Sequence, residues 1–310
     1  MEIAIIGGGS VGLLLAARLS LTGSNVKLVT RTEKQAEEIN NRGVLLQTLW
    51  GERIPVYIQA TSIQQNLPDV DLYVLAVKQT QLNTILPSLT SIATTARVLA
   101  TQNGMGHDDR LKEVLSEEQI YLAVHTEGAC RHESTVVEHT GIGSWHIGSV
   151  VLNTTTVDKV IGDFLIAAGI AGLTIDHVSN IYEYLWRKLM ANVVINPLTT
   201  LFEIPNGELL QSRETLDIMR VMFLEAKNVA VASGQKITEK NWQDILQICR
   251  NTSRNYSSML QDLRNGRPIE IDAINGYIVN RGKVLGVKTP QQEAVYKAAL
   301  LKAGLRIQRG

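Results

Sequence analysis

The first half of the chain alternates short apolar runs with segments in which apolar residues recur at helical spacing. Residues 2–6 form an apolar run that predicts a buried strand, and residues 11–21 predict the helix that follows it. A strand at residues 25–29 and a polar helix at residues 33–41 continue the series. Strands that alternate with helices predict an α/β fold with a Rossmann-type parallel sheet, covered by helices on both faces.

The remaining elements of this half follow the same alternation. Residues 44–50 and 53–59 flank Gly51-Glu52 and predict a hairpin, and the less regular stretch 126–150 predicts edge strands. Further strands are predicted at residues 70–77, 97–101, 120–124 and 173–178, and further helices at residues 79–92, from about 108 onward, and at 157–169.

From Asn180 the pattern predicts helices alone. They are expected at residues 181–201, 210–232, 241–249, 257–264, 270–280 and 290–304. The chain is therefore predicted to have two domains, a Rossmann-type domain at residues 1–179 and an all-α domain at residues 180–310.

Composition and charge exclude several classes of protein. The 310 residues carry 30 Lys and Arg against 30 Asp and Glu, and this balance argues against a nucleic-acid binder. No apolar stretch reaches the ~18 residues of a membrane span, and the N-terminus lacks a signal-peptide pattern. Two cysteines without a CxxC pair, and six histidines without metal-ligand spacing, predict a reducing, cytoplasmic location and no metal site.

A glycine-rich motif separates the first strand from the first helix. The segment fits G-x-G-x-x-G with residues Gly7, Gly8, Gly9, Ser10, Val11 and Gly12. Gly7 permits the tight turn, Gly9 lets the backbone approach a pyrophosphate, and Gly12 allows the helix to pack closely on the sheet. An ordinary turn is the alternative, but the strand–helix context favours a dinucleotide site whose anion faces the helix N-terminus.

The end of the second strand indicates which dinucleotide is bound. NAD-preferring sites usually place an acidic residue there for the ribose 2′-hydroxyl, whereas this chain has Arg31, with Lys34 one helical step further on. A planar guanidinium can bind a 2′-phosphate through two hydrogen bonds. The sequence therefore favours NADP (NADPH) over NAD, against the alternative that Arg31 is a solvated surface residue.

Two segments after later strands lie where open parallel sheets bind ligands. Lys78 and Gln81 follow the strand predicted at residues 70–77. Asn103 follows the strand predicted at residues 97–101 and directly precedes a glycine. From the residues alone, a solvated lysine is the more frequent role for Lys78. A ligand contact and a turn are equally open for Asn103.

The first helix of the second half gives the strongest chemical signal. Lys188, Asn192 and Asn196 are spaced four apart on an otherwise apolar helix, and each step of four turns the helix by about 40°. One ammonium and two amides on such a helix must be solvated by a cleft or by one another, and they suit a small anion. Pro197 is expected to bend or end the helix. An exposed polar stripe is the alternative.

Three later residues are weaker candidates. Asn206 lies in a turn, and Ser258 and Glu270 stand at the starts of two predicted helices. A hydroxyl at a helix start is commonly an N-cap, and a carboxylate there complements the helix dipole, so both have strong structural alternatives.

Taken together, the motifs resemble those of the ketopantoate reductase (2-dehydropantoate 2-reductase) family across essentially the whole chain. The resemblance rests on G-x-G-x-x-G, K-x-x-Q at 78–81, N-G-M-G at 103–106, W-R-K-L-x-x-N-x-x-I-N-P-L-T at 186–199, P-N-G-E-L at 205–209, S-S-M-L-Q-D at 257–262 and E-I-D-x-I-N-G at 270–276. It implies a helical domain similar to that of 6-phosphogluconate dehydrogenases.

The resemblance also implies an activity: reduction of 2-dehydropantoate (ketopantoate) to pantoate by NADPH, in pantothenate and coenzyme A biosynthesis. It makes Lys188 the general acid and Glu270 the residue that binds the substrate hydroxyl and orients Lys188. The substrate would be held by Asn192, Asn196, Asn206 and Ser258. Asn103 would contact both substrate and cofactor, and Lys78 and Gln81 would lie at the cofactor.

Two other functions stay open at this point. One is an NADP-dependent dehydrogenase of another 2-oxo or 3-hydroxy acid, and the other is a non-catalytic NADP-binding sensor. The pairing of Lys188 with Glu270 disfavours the sensor, because a binding protein needs no proton donor. The expected partner is a small 2-oxo acid, without nucleic acid or membrane, and the protein is expected to be a monomer or homodimer.

Overall fold

The computed structural model describes residues 1–152 and 156–307, and the chain divides into two compact units. The first unit comprises Met1–Gln102 and His107–Ile181, and the second comprises Asn103–Gly106 and Tyr182–Gly310. The short loop Asn103–Gly106 therefore belongs with the helical half of the chain, although it directly follows a strand of the first half.

The first unit is built on the predicted alternation of strands and helices. Its described strands are β1 (Glu2–Ile6), β2 (Asn25–Thr30), β3 (Val44–Gln47), β4 (Arg53–Val56), β5 (Gln59–Ser62), β6 (Leu72–Leu75), β7 (Arg97–Ala100), β8 (Ile120–His125), β9 (Gly128–Arg131), β10 (Val136–Gly141), β11 (Ser144–Ser149) and β12 (Thr174–His177). Continuous apolar strands such as β6 are buried along their whole length, as expected for a sheet covered on both faces.

The main sheet has the strand order β12-β11-β8-β7-β6-β1-β2-β5. The strands from β8 to β5 in this order all pair in parallel, which confirms the α/β prediction. The sheet is not parallel throughout, because β11 pairs antiparallel with β8. An antiparallel neighbour needs no helical crossover, and β11 follows β8 without an intervening α-helix.

A second, smaller sheet has the order β4-β3-β10-β9. It contains the predicted hairpin, in which β3 and β4 pair antiparallel and the Thr48 N–H donates to the Glu52 carbonyl (2.8 Å). The irregular stretch after β8 supplies β9 and β10 to this sheet, so the edge strands expected there are divided between two sheets.

The described α-helices are α1 (Ser10–Leu21), α2 (Glu33–Arg42), α3 (Leu86–Leu89), α4 (His107–Lys112), α5 (Lys159–Ile170), α6 (Ile181–Phe202), α7 (Arg213–Ala232), α8 (Glu239–Asn251), α9 (Ser258–Arg264), α10 (Tyr277–Leu285) and α11 (Pro290–Ile307). The single helix predicted at 79–92 is wrong: a 3-10 helix at Gln79–Thr84 precedes the short α3. Pro87 has no N–H to donate four residues back, which disfavours a continuous α-helix.

The helix α6 does not end at Pro197, contrary to one of the two sequence expectations, but continues to Phe202. Proline at this position cannot donate to the carbonyl of Val193, which lies four residues earlier. In the structure the side-chain Nδ2 of Asn275 donates to that carbonyl instead, at 2.9 Å. A buried amide from another element thus replaces the backbone hydrogen bond that the proline removes.

Asn275 belongs to a buried network that joins four elements of the second unit. It lies in a π-helix at Asp272–Gly276, directly before α10, and is fully buried. Its Nδ2 also donates to Gln292 Oε1 (2.6 Å) on α11. Gln292 in turn donates to the Met222 carbonyl (2.9 Å) on α7, so the polar groups hold α6, the π-helix, α7 and α11 together.

Two features are absent from the described part of the chain, a membrane-spanning helix and a cluster of metal-ligand side chains. Within residues 1–152 and 156–307, no helix combines the length and the apolar character that crossing a membrane would require. In the same ranges, no group of three or more His, Cys, Asp or Glu side chains is arranged to hold a metal ion.

Asn275→Ala should destabilise the protein, because it leaves the Val193 carbonyl buried without a donor. Such a loss is worth about 1–3 kcal/mol of unfolding free energy. Urea unfolding followed by circular dichroism measures it, with Asn280→Ala on the exposed face of α10 as the matched control. Equal unfolding midpoints for the two variants would show that the network does not stabilise α6.

Candidate active site

The glycine-rich loop of the first unit is shaped by close backbone contacts. Gly7 has a φ of +124°, and a Cβ there would lie 2.8 Å from the carbonyl carbon of Ala76, just after β6. A Cβ at Gly12 would overlap the carbonyl oxygen of Gly7. The turn role predicted for Gly7 and the close-packing role predicted for Gly12 are both confirmed by these contacts.

Gly9 differs from the other two glycines of the motif. It is the N-cap of α1, in an extended conformation, and the nearest atom to an added Cβ would be the Ala76 oxygen at 4.0 Å. No described protein group therefore requires glycine at this position. The lack of a side chain leaves the loop backbone open beside the helix N-terminus, and this is the geometry that a pyrophosphate needs.

A cationic pocket lies at the end of β2 and the start of α2. Its volume is about 280 Å³, and its lining residues are Arg31, Thr32, Lys34, Gln35, Glu38, Arg131 and Ser134. Three cations against one carboxylate give the lining a formal charge of +2. Arg31, Lys34 and Arg131 are all exposed to solvent, so the pocket fits a small anionic group such as a phosphate.

Lys78 and Gln81 flank the start of the 3-10 helix that follows β6, and both are partly buried. The Gln81 N–H donates to the Lys78 carbonyl (2.9 Å), which fixes the turn between them. Next to this segment, the Nε2 of Gln79 lies 3.1 Å from Nδ1 of His107. Burial lowers the pKa of His107 to about 4, so the imidazole that contacts Gln79 is neutral at neutral pH.

Lys188 of the second unit lies in the middle of α6, on the same helix as Asn192 and Asn196. Burial lowers the pKa of Lys188 to about 8 from its ordinary 10.5, and the Glu270 carboxylate acts in the opposite direction. Glu270 is itself buried, with 7% of its surface exposed, and directly precedes the helical segment that begins at Ile271. The fold therefore brings an ammonium and a carboxylate within electrostatic reach in a poorly solvated setting.

The amides around this pair differ in their surroundings. Asn192 is partly buried, whereas Asn196 and Asn206 are buried. The Nδ2 of Asn206 donates to Thr252 Oγ1 (2.9 Å), while its Oδ1 has no hydrogen-bond partner among the described residues. A buried amide oxygen without a partner is unfavourable unless a ligand or water donates to it.

Ser258 is exposed and is the first residue of α9. The N-cap role considered for Ser258 is wrong, because Ser257 is the N-cap and its Oγ accepts from the Leu260 N–H (3.2 Å). Ser257 also lies 2.7 Å from the Thr199 hydroxyl of α6. Ser257 therefore caps α9 and contacts α6, and a ligand contact stays the prediction for Ser258.

Asn103 belongs to the same unit as Lys188 and Glu270. Its loop is held by the Met105 N–H, which donates to the Ala273 carbonyl (3.0 Å) in the π-helix after Glu270. Gly104 has a φ of +81°, and a Cβ there would overlap that same carbonyl. Asn103 therefore precedes a tightly packed turn, and its side chain is partly buried.

Two residues of structural importance carry no local sequence signal. Arg131 lies on β9, about 100 residues after α2, and nothing near it predicts a place beside the glycine loop. Asn275 appears only as one letter of the E-I-D-x-I-N-G motif, and its bond to the Val193 carbonyl depends on tertiary packing. Only the missing N–H of Pro197 could have indicated that a donor is needed.

Comparison with protein-family models identifies both halves of the chain. Residues 3–151 match the model of ketopantoate reductase PanE/ApbA, and residues 180–303 match the model of its C-terminal region. Among curated proteins, the 2-dehydropantoate 2-reductase of Bacillus subtilis is 37% identical over 297 residues, which cover 96% of this chain and 95% of that protein.

Solved structures agree with this result. A PanE/ApbA family ketopantoate reductase from Ralstonia eutropha superimposes with a TM-score of 0.90 at 28% identity, over 99% of both chains. A D-mandelate dehydrogenase, solved with NADH and anilino(oxo)acetate, has a TM-score of 0.91 over 99% of both chains. Its identity is 24%, so that likeness concerns the fold alone.

The Lys188 ammonium should titrate near pH 8, well below an ordinary lysine. Because Glu270 raises the pKa of Lys188, Glu270→Gln should lower that pKa further. Nuclear magnetic resonance of the lysine ε-carbons over a pH titration measures both values, with Lys188→Ala to assign the signal and the exposed Lys240 as an internal control. A Lys188 pKa near 10.5, or one unmoved by Glu270→Gln, would contradict the described electrostatics.

Proposed function

The chain belongs to the ketopantoate reductase PanE/ApbA family, and we propose that it catalyses the reduction of 2-dehydropantoate to pantoate with NADPH. The observation that carries this proposal is the placement of Lys188 on α6 within electrostatic reach of the buried Glu270, in a chain whose two halves both match the family. Burial lowers the pKa of Lys188 to about 8. A general acid works best when its pKa lies near the operating pH, since it is then protonated and still gives up its proton readily.

The residues of the first unit fit a nicotinamide dinucleotide. The open backbone at Gly9 and the start of α1 would hold the pyrophosphate, and Arg31 would bind the 2′-phosphate that distinguishes NADPH from NADH. Lys78 and Gln81 would complete the site after β6. When bound, NADPH supplies the hydride that reduces a ketone.

The residues of the second unit would bind and protonate the substrate. The Lys188 Nζ donates a hydrogen bond to the C2 carbonyl oxygen and then gives that oxygen its proton, so the product is an alcohol and Lys188 becomes a neutral amine. Because the pKa of Lys188 is about 8, the amine takes a proton back from solvent at neutral pH. Glu270 favours the ammonium form before each turnover.

The amides and the hydroxyl of this unit would recognise the other groups of 2-dehydropantoate. Glu270 would accept a hydrogen bond from the substrate hydroxyl. The substrate carboxylate and hydroxyl would be held by Asn103, Asn192, Asn196, Asn206 and Ser258. The unpartnered Oδ1 of Asn206 suits a hydroxyl donor rather than a carboxylate, because it can only accept.

Mixing the purified protein with NADPH and 2-dehydropantoate should consume NADPH, as followed by its absorbance, and should form pantoate. Lys188→Ala should lower kcat by at least ~10²-fold, the usual scale for a general acid. Dinucleotide affinity should change little, since Lys188 is not among the residues proposed to hold the dinucleotide. The exposed Lys240→Ala serves as the control and should retain activity.

The proposed substrate and the proposed role of Lys188 can be contradicted by different outcomes. Turnover of other 2-oxo acids but not of 2-dehydropantoate would overturn the proposed substrate. Full activity of Lys188→Ala with 2-dehydropantoate would leave the substrate intact and overturn the role of Lys188.

A further inference from the structure

The cationic pocket draws its charges from two distant parts of the chain. Arg31 and Lys34 come from the end of β2 and the start of α2, as the sequence indicated. Arg131 comes from β9, the edge strand of the second sheet, and faces the same pocket. This contribution from the second sheet is what the sequence pattern did not predict.

Two hydrogen bonds fix Arg131 beside the glycine loop. Its backbone N–H donates to the Ser10 hydroxyl (3.1 Å), at the first residue of α1. Its guanidinium Nη1 donates to the Gly8 carbonyl (2.9 Å). The side chain is thereby oriented with one edge on the loop while it lines the pocket that also contains Arg31 and Lys34.

We propose that Arg131 is a cofactor-specificity residue that binds the adenosine 2′-phosphate of NADPH together with Arg31. The inference rests on the proposed use of NADPH. A phosphate monoester carries close to two negative charges at neutral pH, and the pocket lining offers a formal charge of +2. A second guanidinium provides a further planar set of donors for the three phosphate oxygens.

A purely structural role explains the position of Arg131 less well. The Gly8 carbonyl also accepts a hydrogen bond from Nε2 of Gln35, at 2.9 Å. That neutral amide holds the same carbonyl and also donates to the Ser134 carbonyl (2.8 Å) across the pocket. A hydrogen bond to the Gly8 carbonyl therefore needs no positively charged donor. Binding of a dianion at an exposed site, in contrast, is strengthened by a positive charge.

Other parts of the pocket agree with an anionic ligand. Glu38 is its only lining carboxylate among the described residues, and the hydroxyl of Ser134 donates to Glu38 Oε2. This bond fixes the position of the carboxylate, and the three cations of the lining outweigh its charge. Thr32, the N-cap of α2, accepts from the Gln35 N–H (3.3 Å) and completes the rim.

Binding measurements without turnover test the proposal. Dissociation constants of NADPH, NADH, 2′,5′-ADP and 5′-ADP are measured by calorimetry for the full chain and for Arg131→Ala. We expect Arg131→Ala to weaken NADPH and 2′,5′-ADP about 10- to 100-fold, the range of a charged hydrogen-bonded contact, with much smaller changes for NADH and 5′-ADP. Arg31→Ala should show the same selectivity.

Three control variants separate charge from loop geometry. Gln35→Ala removes a neutral donor to the same Gly8 carbonyl but no charge, so it should reduce the preference for NADPH over NADH far less than Arg131→Ala does. Arg131→Lys keeps the charge but loses the planar fork, and it should retain part of the preference for NADPH. Arg53→Ala, an exposed arginine of β4 in the same sheet, should bind both dinucleotides as the unsubstituted chain does.

Equal weakening of NADPH and NADH by Arg131→Ala would overturn the proposal and leave Arg131 as a loop contact. An unsubstituted chain without preference for NADPH over NADH would overturn it as well, together with the proposed cofactor. Failure to reduce 2-dehydropantoate would not affect these constants, so the reaction and the phosphate contact are tested independently.

Discussion

The proposed chemistry depends on one partly buried ammonium, that of Lys188. Burial lowers the pKa of Lys188 from 10.5 to about 8, so its charged form is unfavourable in the folded state. Because the folded-state pKa lies below the unfolded one, this penalty is present in full below pH 8 and disappears as the pH rises toward 10.5. The rest of the second unit must offset it, and Glu270 is the group that acts against it directly.

The helix that carries Lys188 contains a proline in its interior, where proline normally kinks or ends a helix. Pro197 removes a backbone donor from α6, and the amide of Asn275 replaces it through a fully buried network that reaches α7 and α11. α6 thus continues as one helix through the residues that follow Asn196, and the polar network supplies the donor that Pro197 lacks. The cations of the pocket in the first unit carry a smaller desolvation penalty than Lys188, because their side chains stay exposed to water.

The local pattern of apolar residues predicts most of the architecture, because the periodicity of a strand or a helix depends only on residues that are close in sequence. The alternation from β1 to α2, the hairpin of β3 and β4, and the length of α6 all follow from it. Features that the pattern does not predict depend on distant contacts: the antiparallel place of β11, the membership of Asn103 in the second unit, and the proximity of Arg131 to Gly8. At the candidate site, the spacing of Lys188, Asn192 and Asn196 was readable, but the depressed pKa of Lys188 depends on burial that no spacing reveals.

The pH dependence of kcat/KM for 2-dehydropantoate reduction tests the central claim most directly, since it reports the ionisation of the free enzyme. With Lys188 as the acid, kcat/KM should be highest where its ammonium is intact and should fall tenfold for each pH unit above about 8. A profile that stays level up to about pH 10, the range of an ordinary lysine, would contradict the assignment of proton transfer to this side chain.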